Sequence, residues 1–185
     1  MILQPRFPIL NPSERVRVCQ LTCLAHQGAK ALWKGNPLLA GACVNSALAL
    51  YLALLEEFDS GRLSIPPRFV IGTFLAPTTR NQLAKKNKIL KDMNFNHAWT
   101  MVGAEVYDPT MLQFTKEYPF YAGPSNLGIY VPRVFNMRAV QKAFMFPETQ
   151  LPQNLAAQIK DYIDLNKYSI PESCVKVCKK GWTAQ

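Results

Sequence analysis

Residues 95–110 read FNHAWTMVGAEVYDPT, and the way they fold decides the architecture around them. Two short runs rich in aromatic and β-branched residues flank Gly103-Ala104. This is the pattern of a tight hairpin, and Gly at the first loop position suits a type II′ turn. With a two-residue loop, Val102 pairs with Glu105 and Asp108 falls opposite Trp99. Side chains alternate between faces along a strand, so Asp108 shares a face with residues 97, 99 and 101. His97 is then a diagonal neighbour of Asp108, a separation that long side chains close. A three-residue loop would reverse the parity and part them. A carboxylate so placed accepts the imidazole N–H, fixes its tautomer and raises its basicity. Asp-Pro-Thr is also a common turn signal. Alone, the hairpin offers a base and its orienter with nothing to act on.

Working outward, Cys43 supplies a proton donor. It opens the run GACVNSALALYLALLEEF after the turn-rich WKGNPLLAG, with small Gly41 and Ala42 before it. The run is apolar nearly all round, which predicts a buried central helix from about Ala42 to Phe58. A thiol at a helix N-terminus meets the positive end of the helix dipole and free backbone N–H groups, both of which favour the thiolate. A nearby imidazolium favours it further, and the Cys43 N–H can serve an oxyanion. Asn36, Gln27 and Trp33 are candidate side-chain partners for that oxyanion. Gly41, Ala42, Asn96 and Trp99 are candidates for lining a substrate cleft. The other histidine, His26, falls mid-helix and reads as structural.

The remaining elements frame this core. Pro5, Pro8 and Pro12 make an extended arm, and Asn11 or Ser13 can cap a helix with Glu14 in its first turn. That helix is expected to run to about Trp33, with Val16, Cys19, Cys23 and Leu24 on its apolar face. RFVIGTFL, 68–75, reads as a strand. The basic stretch 76–93 is expected to be a surface helix or flap. LGIYVPRVF contains a further strand. PQNLAAQIKDYIDLNKY places Leu155, Ile159, Tyr162 and Ile163 on one side of a helix. The tail from 169 onward is basic and has no clear pattern. The order of elements predicts an α+β fold, an antiparallel sheet packed on a buried helix. A chain of 185 residues fits one domain. The expected layout is an arm and helix over 1–37, a catalytic core over 38–112, and a β extension with a C-terminal helix over 113–185.

Composition bounds the function. Apolar residues make up 49% and charged residues 18%, a globular rather than disordered balance. The formal net charge of +9 favours anionic partners in general. No nucleic-acid motif accompanies it, so no nucleic-acid partner is expected. The apolar run Leu38–Leu55 approaches a membrane span in length, but Asn45 and Ser46 interrupt it, and no span is expected. The N-terminus lacks the pattern of a signal peptide. With five cysteines, an odd number, that points to a reducing, cytoplasmic setting with free thiols. Cys19/Cys23 and Cys174/Cys178 are C-x-x-x-C pairs, which lack the usual zinc-knuckle spacing, and no metal is expected.

Taken together, GACVNSALALYLALLEE, then SIPPRFVIG at 64–72, then NHAWTMVGAEVYDPT, resemble the core of the transglutaminase-like superfamily, relatives of papain-like thiol enzymes. In that family a Cys opens a helix, a strand ending in Gly follows, then a His–Ala–Trp strand and an Asp-Pro-Thr close. The resemblance covers about residues 38–112 and implies a Cys43–His97–Asp108 triad needing no cofactor. Ser64 stands where the family has Gly, and no upstream Gln marks the oxyanion donor. The implied activity is cysteine-dependent acyl transfer on a peptide or protein substrate, with hydrolysis of a peptide or carboxamide bond through a thioester first. Alternatives are a glutamine deamidase or transglutaminase, including a deamidating effector or toxin, and a catalytically silent binding module on the same fold.

Overall fold

The computed structural model describes residues 8–33, 42–74, 95–111, 119–124, 130–134 and 154–179. The expected flap at 76–93 lies outside them, as do Asn36, Gly41 and the side chain of Asn96. Helix α1 spans Pro12–Leu32 and begins on a full capping box: Asn11 accepts from the Glu14 N–H, and Glu14 accepts from the Asn11 N–H. Pro12 at the first helical position has no N–H, so two of the three donors this helix start leaves unpaired are thereby satisfied. Helix α2 spans Cys43–Asp59, strand β1 Pro67–Phe74, β2 Phe95–Val102, β3 Glu105–Asp108, β4 Tyr121–Pro124 and β5 Tyr130–Val134. Helices α3, Leu155–Asn166, and α4, Glu172–Lys179, complete the described elements.

The five strands form one sheet in the order β4-β3-β2-β1-β5, with every neighbouring pair antiparallel. The hairpin has the expected register: Thr100 faces Tyr107, Met101 faces Val106 and Val102 faces Glu105. Gly103 has φ +59° while Ala104 is not left-handed, the sign pattern of a type II′ turn. Arg68 fastens this turn by donating to the Gly103 carbonyl at 2.8 Å.

Helix α2 is the centre of the molecule, as its all-round apolar character requires. One side meets the sheet, where Ala47 packs with Phe69, Ile71 and Ala98. Thr100 donates to the Ala47 carbonyl at 3.0 Å. The other side joins α1 and α3 in the largest apolar cluster, which includes Leu21, Leu24, Leu50, Leu54, Leu155, Ile159 and Ile163. The opposite face of the sheet gathers Val70, Phe74, Trp99, Met101, Val106 and Tyr130. Buried Glu57 at the end of α2 takes both Arg17 and Arg62, and Arg17 also donates to the Lys167 carbonyl beyond α3. A buried charge is tolerated because it is paired.

The expectation of free thiols is corrected for four of the five cysteines. Cys19–Cys178 and Cys23–Cys174 are disulfides, with Cα separations of 5.9 and 5.7 Å. Each helix presents two sulfurs one turn apart, and α1 and α4 run antiparallel, so the pairs meet in order. The four sulfurs are thus consumed and offer no thiolates to a metal. The tail whose pattern was unclear contains α4, fixed by these bonds. Val16 is corrected as well: it lies one turn beyond the Cys19–Cys178 bond at the end of α4, and it is exposed.

Candidate active site

The hairpin carries His97 on β2 and Asp108 at the end of β3. His97 Nε2 donates to Asp108 Oδ2 at 2.7 Å. The same oxygen accepts from the Tyr130 hydroxyl at 3.0 Å. Asp108 Oδ1 accepts from the Thr110 N–H at 2.9 Å and from the Thr110 hydroxyl at 3.0 Å. Asp-Pro-Thr is therefore a turn whose own backbone and hydroxyl grip the carboxylate. The sequence flagged the turn but gave no role to Thr110 or Tyr130. Tyr130 could not have been found by spacing, because it lies 22 residues beyond Asp108 on β5, a strand separated from β3 in the sheet by β2 and β1.

The Cys43 thiol neighbours His97, and its interaction with the ring favours the imidazolium. The three expected triad residues are thus brought together in the expected order. All are enclosed: Cys43 is 3% exposed, and His97 and Asp108 are 0% exposed. Phe74 and Trp99 ring centroids lie 5.7 and 6.0 Å from that of His97.

The electrostatics follow from this enclosure. Burial by itself pushes the His97 pKa down, but the Asp108 charge and hydrogen bond, together with Cys43, outweigh it and raise it to about 10. Burial likewise pushes Asp108 up, yet the His97 charge and the bonds from His97 and Thr110 leave it below the usual carboxylate range. The pair is held as imidazolium and carboxylate at neutral pH.

No family model, no curated protein and no solved structure matches this chain. What the site can do therefore rests on its own geometry.

Several flanking expectations need correction. Gln27 is no oxyanion donor: its amide donates to the Ser173 hydroxyl at 3.0 Å, on the side of α1 that faces α4. Ala42 and Trp99 do not line an open cleft, because both are 0% exposed. Trp99 is packed into the apolar face beside His97. Trp33 caps the end of α1, packs against the cluster that includes Ala42, and has a buried indole N–H with no partner among the described residues. Ala42 gives α2 no side-chain cap. His26, expected to be structural, donates from Nδ1 to the Pro109 carbonyl at 2.9 Å. No group of residues suited to hold a metal ion occurs among the described residues.

Proposed function

We propose that this chain is a cysteine-dependent acyl-transfer enzyme with a transglutaminase-like core, hydrolysing a peptide or carboxamide bond. The observation that carries the reading is His97 standing between Asp108, at 2.7 Å, and the Cys43 thiol. Cys43 acts as thiolate against the His97 imidazolium and attacks the carbonyl carbon, forming a C–S bond. The Cys43 N–H at the uncapped start of α2 holds the oxyanion, and Trp33, whose buried indole N–H has no partner among the described residues, stays the side-chain candidate for a second donor. The C–N bond breaks as His97 gives its proton to the leaving amine. Water then attacks the thioester, His97 takes a proton from it, and the thiolate leaves. Asp108 keeps the imidazole in place through both steps.

The two disulfides also bear on where this happens. Bonds of this kind form and persist in oxidising compartments. We therefore replace the cytoplasmic expectation with an oxidising setting for this chain, whose one free thiol is Cys43. No described helix is long and apolar enough to cross a membrane.

The enclosure of all three residues favours a second reading, a binding module that keeps the constellation without turnover. Alkylation separates the two. With four cysteines in disulfides, non-reduced protein should take up one equivalent of iodoacetamide, at Cys43. The enzyme reading expects this uptake at pH 6 to outpace that of a free cysteine, whose thiolate is scarce there. It also expects the uptake to fall in His97→Ala. A Cys43 that labels slowly in native protein, or equally fast without His97, sinks the enzyme reading.

A further inference from the structure

Between the two histidines of the chain runs an unbroken series of hydrogen bonds. His26, on α1, donates from Nδ1 to the Pro109 carbonyl oxygen at 2.9 Å. A carbonyl can only accept, so Nδ1 carries the proton. That oxygen belongs to the peptide unit joining Pro109 and Thr110. The N–H of the same unit donates to Asp108 Oδ1 at 2.9 Å. The other carboxylate oxygen, Oδ2, meets His97 Nε2 at 2.7 Å. A trans peptide is a rigid plane with its C=O and N–H pointing opposite ways, and no described peptide bond is cis. Fixing the oxygen from α1 therefore aims the N–H at Asp108.

From this geometry we infer that His26 is a positioning residue for the proposed triad, orienting Asp108 through the Pro109–Thr110 peptide. The inference rests on the thiol-triad reading. His26 is otherwise an uneconomical choice for its place: it is only 6% exposed, with the Phe120 ring centroid 6.1 Å away. A leucine would fill such a space without burying a polar ring. What leucine lacks is a donor for the Pro109 carbonyl. The anchor behind the donor is firm, because Cys23, one turn earlier on α1, is bonded to Cys174. Bonds in series also polarise one another, so a donor at the far end strengthens the grip on Oδ1.

The test compares wild type, His26→Leu, His26→Asn and His97→Ala in the full disulfide-bonded chain, well below each variant's melting temperature. The readouts are the iodoacetamide labelling rate of Cys43 at neutral pH and the proton resonance of the His97 Nε2–H. His26→Leu should label about three- to tenfold more slowly, the worth of one hydrogen bond, with the His97 resonance moved upfield or broadened by exchange. His26→Asn, whose amide nitrogen falls near the place of Nδ1, should recover both. A His26→Leu protein that matches wild type, while His97→Ala remains slow, overturns the inference and leaves the triad standing. Wild type that labels no faster than His97→Ala instead removes the triad and the inference with it. A measurement on wild type alone guards against a variant that fails to fold. Nitrogen NMR must show neutral His26 protonated at Nδ1, and the Nε2–H tautomer would overturn the inference.

Discussion

A carboxylate as deeply buried as Asp108 keeps its charge because four donors meet it, two from Thr110 and one each from His97 and Tyr130. The imidazolium of His97 depends on that charge in return. Asp108→Asn preserves the shape and removes the counter-charge, so burial should then dominate and carry the His97 pKa from about 10 to below its ordinary value. Stability should follow. A histidine with a raised folded-state pKa contributes fully below its unfolded value of about 6.5 and loses that contribution as pH rises through the folded value. Unfolding free energy of wild type should therefore decline between neutral pH and about pH 10, and Asp108→Asn should flatten the decline. His26 works in the opposite sense. Burial lowers its pKa despite the Pro109 bond, so its contribution is lost as pH falls below its unfolded value. Denaturant titrations across pH check both limbs, and a wild-type curve that rises toward pH 10 would refute the assignment. His97 and Asp108 were legible because both sit on a short hairpin whose parity is countable. Tyr130 and His26 act from elements distant in sequence, and no spacing rule reaches them.

At the scale of elements, the hairpin turn decides whether the site exists, because a shift of one residue sends Asp108 to the other face. Gly103 takes φ +59°, and a Cβ there would run into the Pro8 carbonyl oxygen. Gly103→Val should cost at least about 2 kcal/mol, from the left-handed backbone and the displaced arm together. Ala104→Gly, at a position without positive φ, should cost less. Urea denaturation of the two variants decides, and equal midpoints would show that the turn is not under this constraint. Local chemistry made such elements readable: Asn11 and Glu14 mark the start of α1, Gly103 marks the turn, and Leu155, Ile159 and Ile163 mark the buried side of α3. Gln27 and Val16 were misread for one reason. Both face or border α4, a partner whose position the sequence of α1 does not contain.

For the whole molecule, the cysteines show how an accurate local reading can miss a tertiary fact. The spacing placed two thiols one turn apart near each end of the chain, but only the antiparallel approach of α1 and α4 turns four thiols into two bonds. The odd count that suggested free thiols reflects Cys43 alone. The bonds join positions 159 and 151 residues apart. In the chain-entropy account the first bond to form restricts nearly the whole unfolded chain, worth about 5 kcal/mol. Once it exists, the second closes only the short ring between neighbouring turns of the two helices, worth about 2–3 kcal/mol. Either bond can play either part, so the account makes an asymmetric prediction. Cys19→Ala/Cys178→Ala and Cys23→Ala/Cys174→Ala should each cost only about 2–3 kcal/mol, while removing both pairs should cost about 7–8 kcal/mol, more than the two double variants combined. Guanidinium unfolding of the three proteins under non-reducing conditions measures this. Strict additivity would mean that the bonds act through local packing of α1 on α4 rather than through restriction of the unfolded chain.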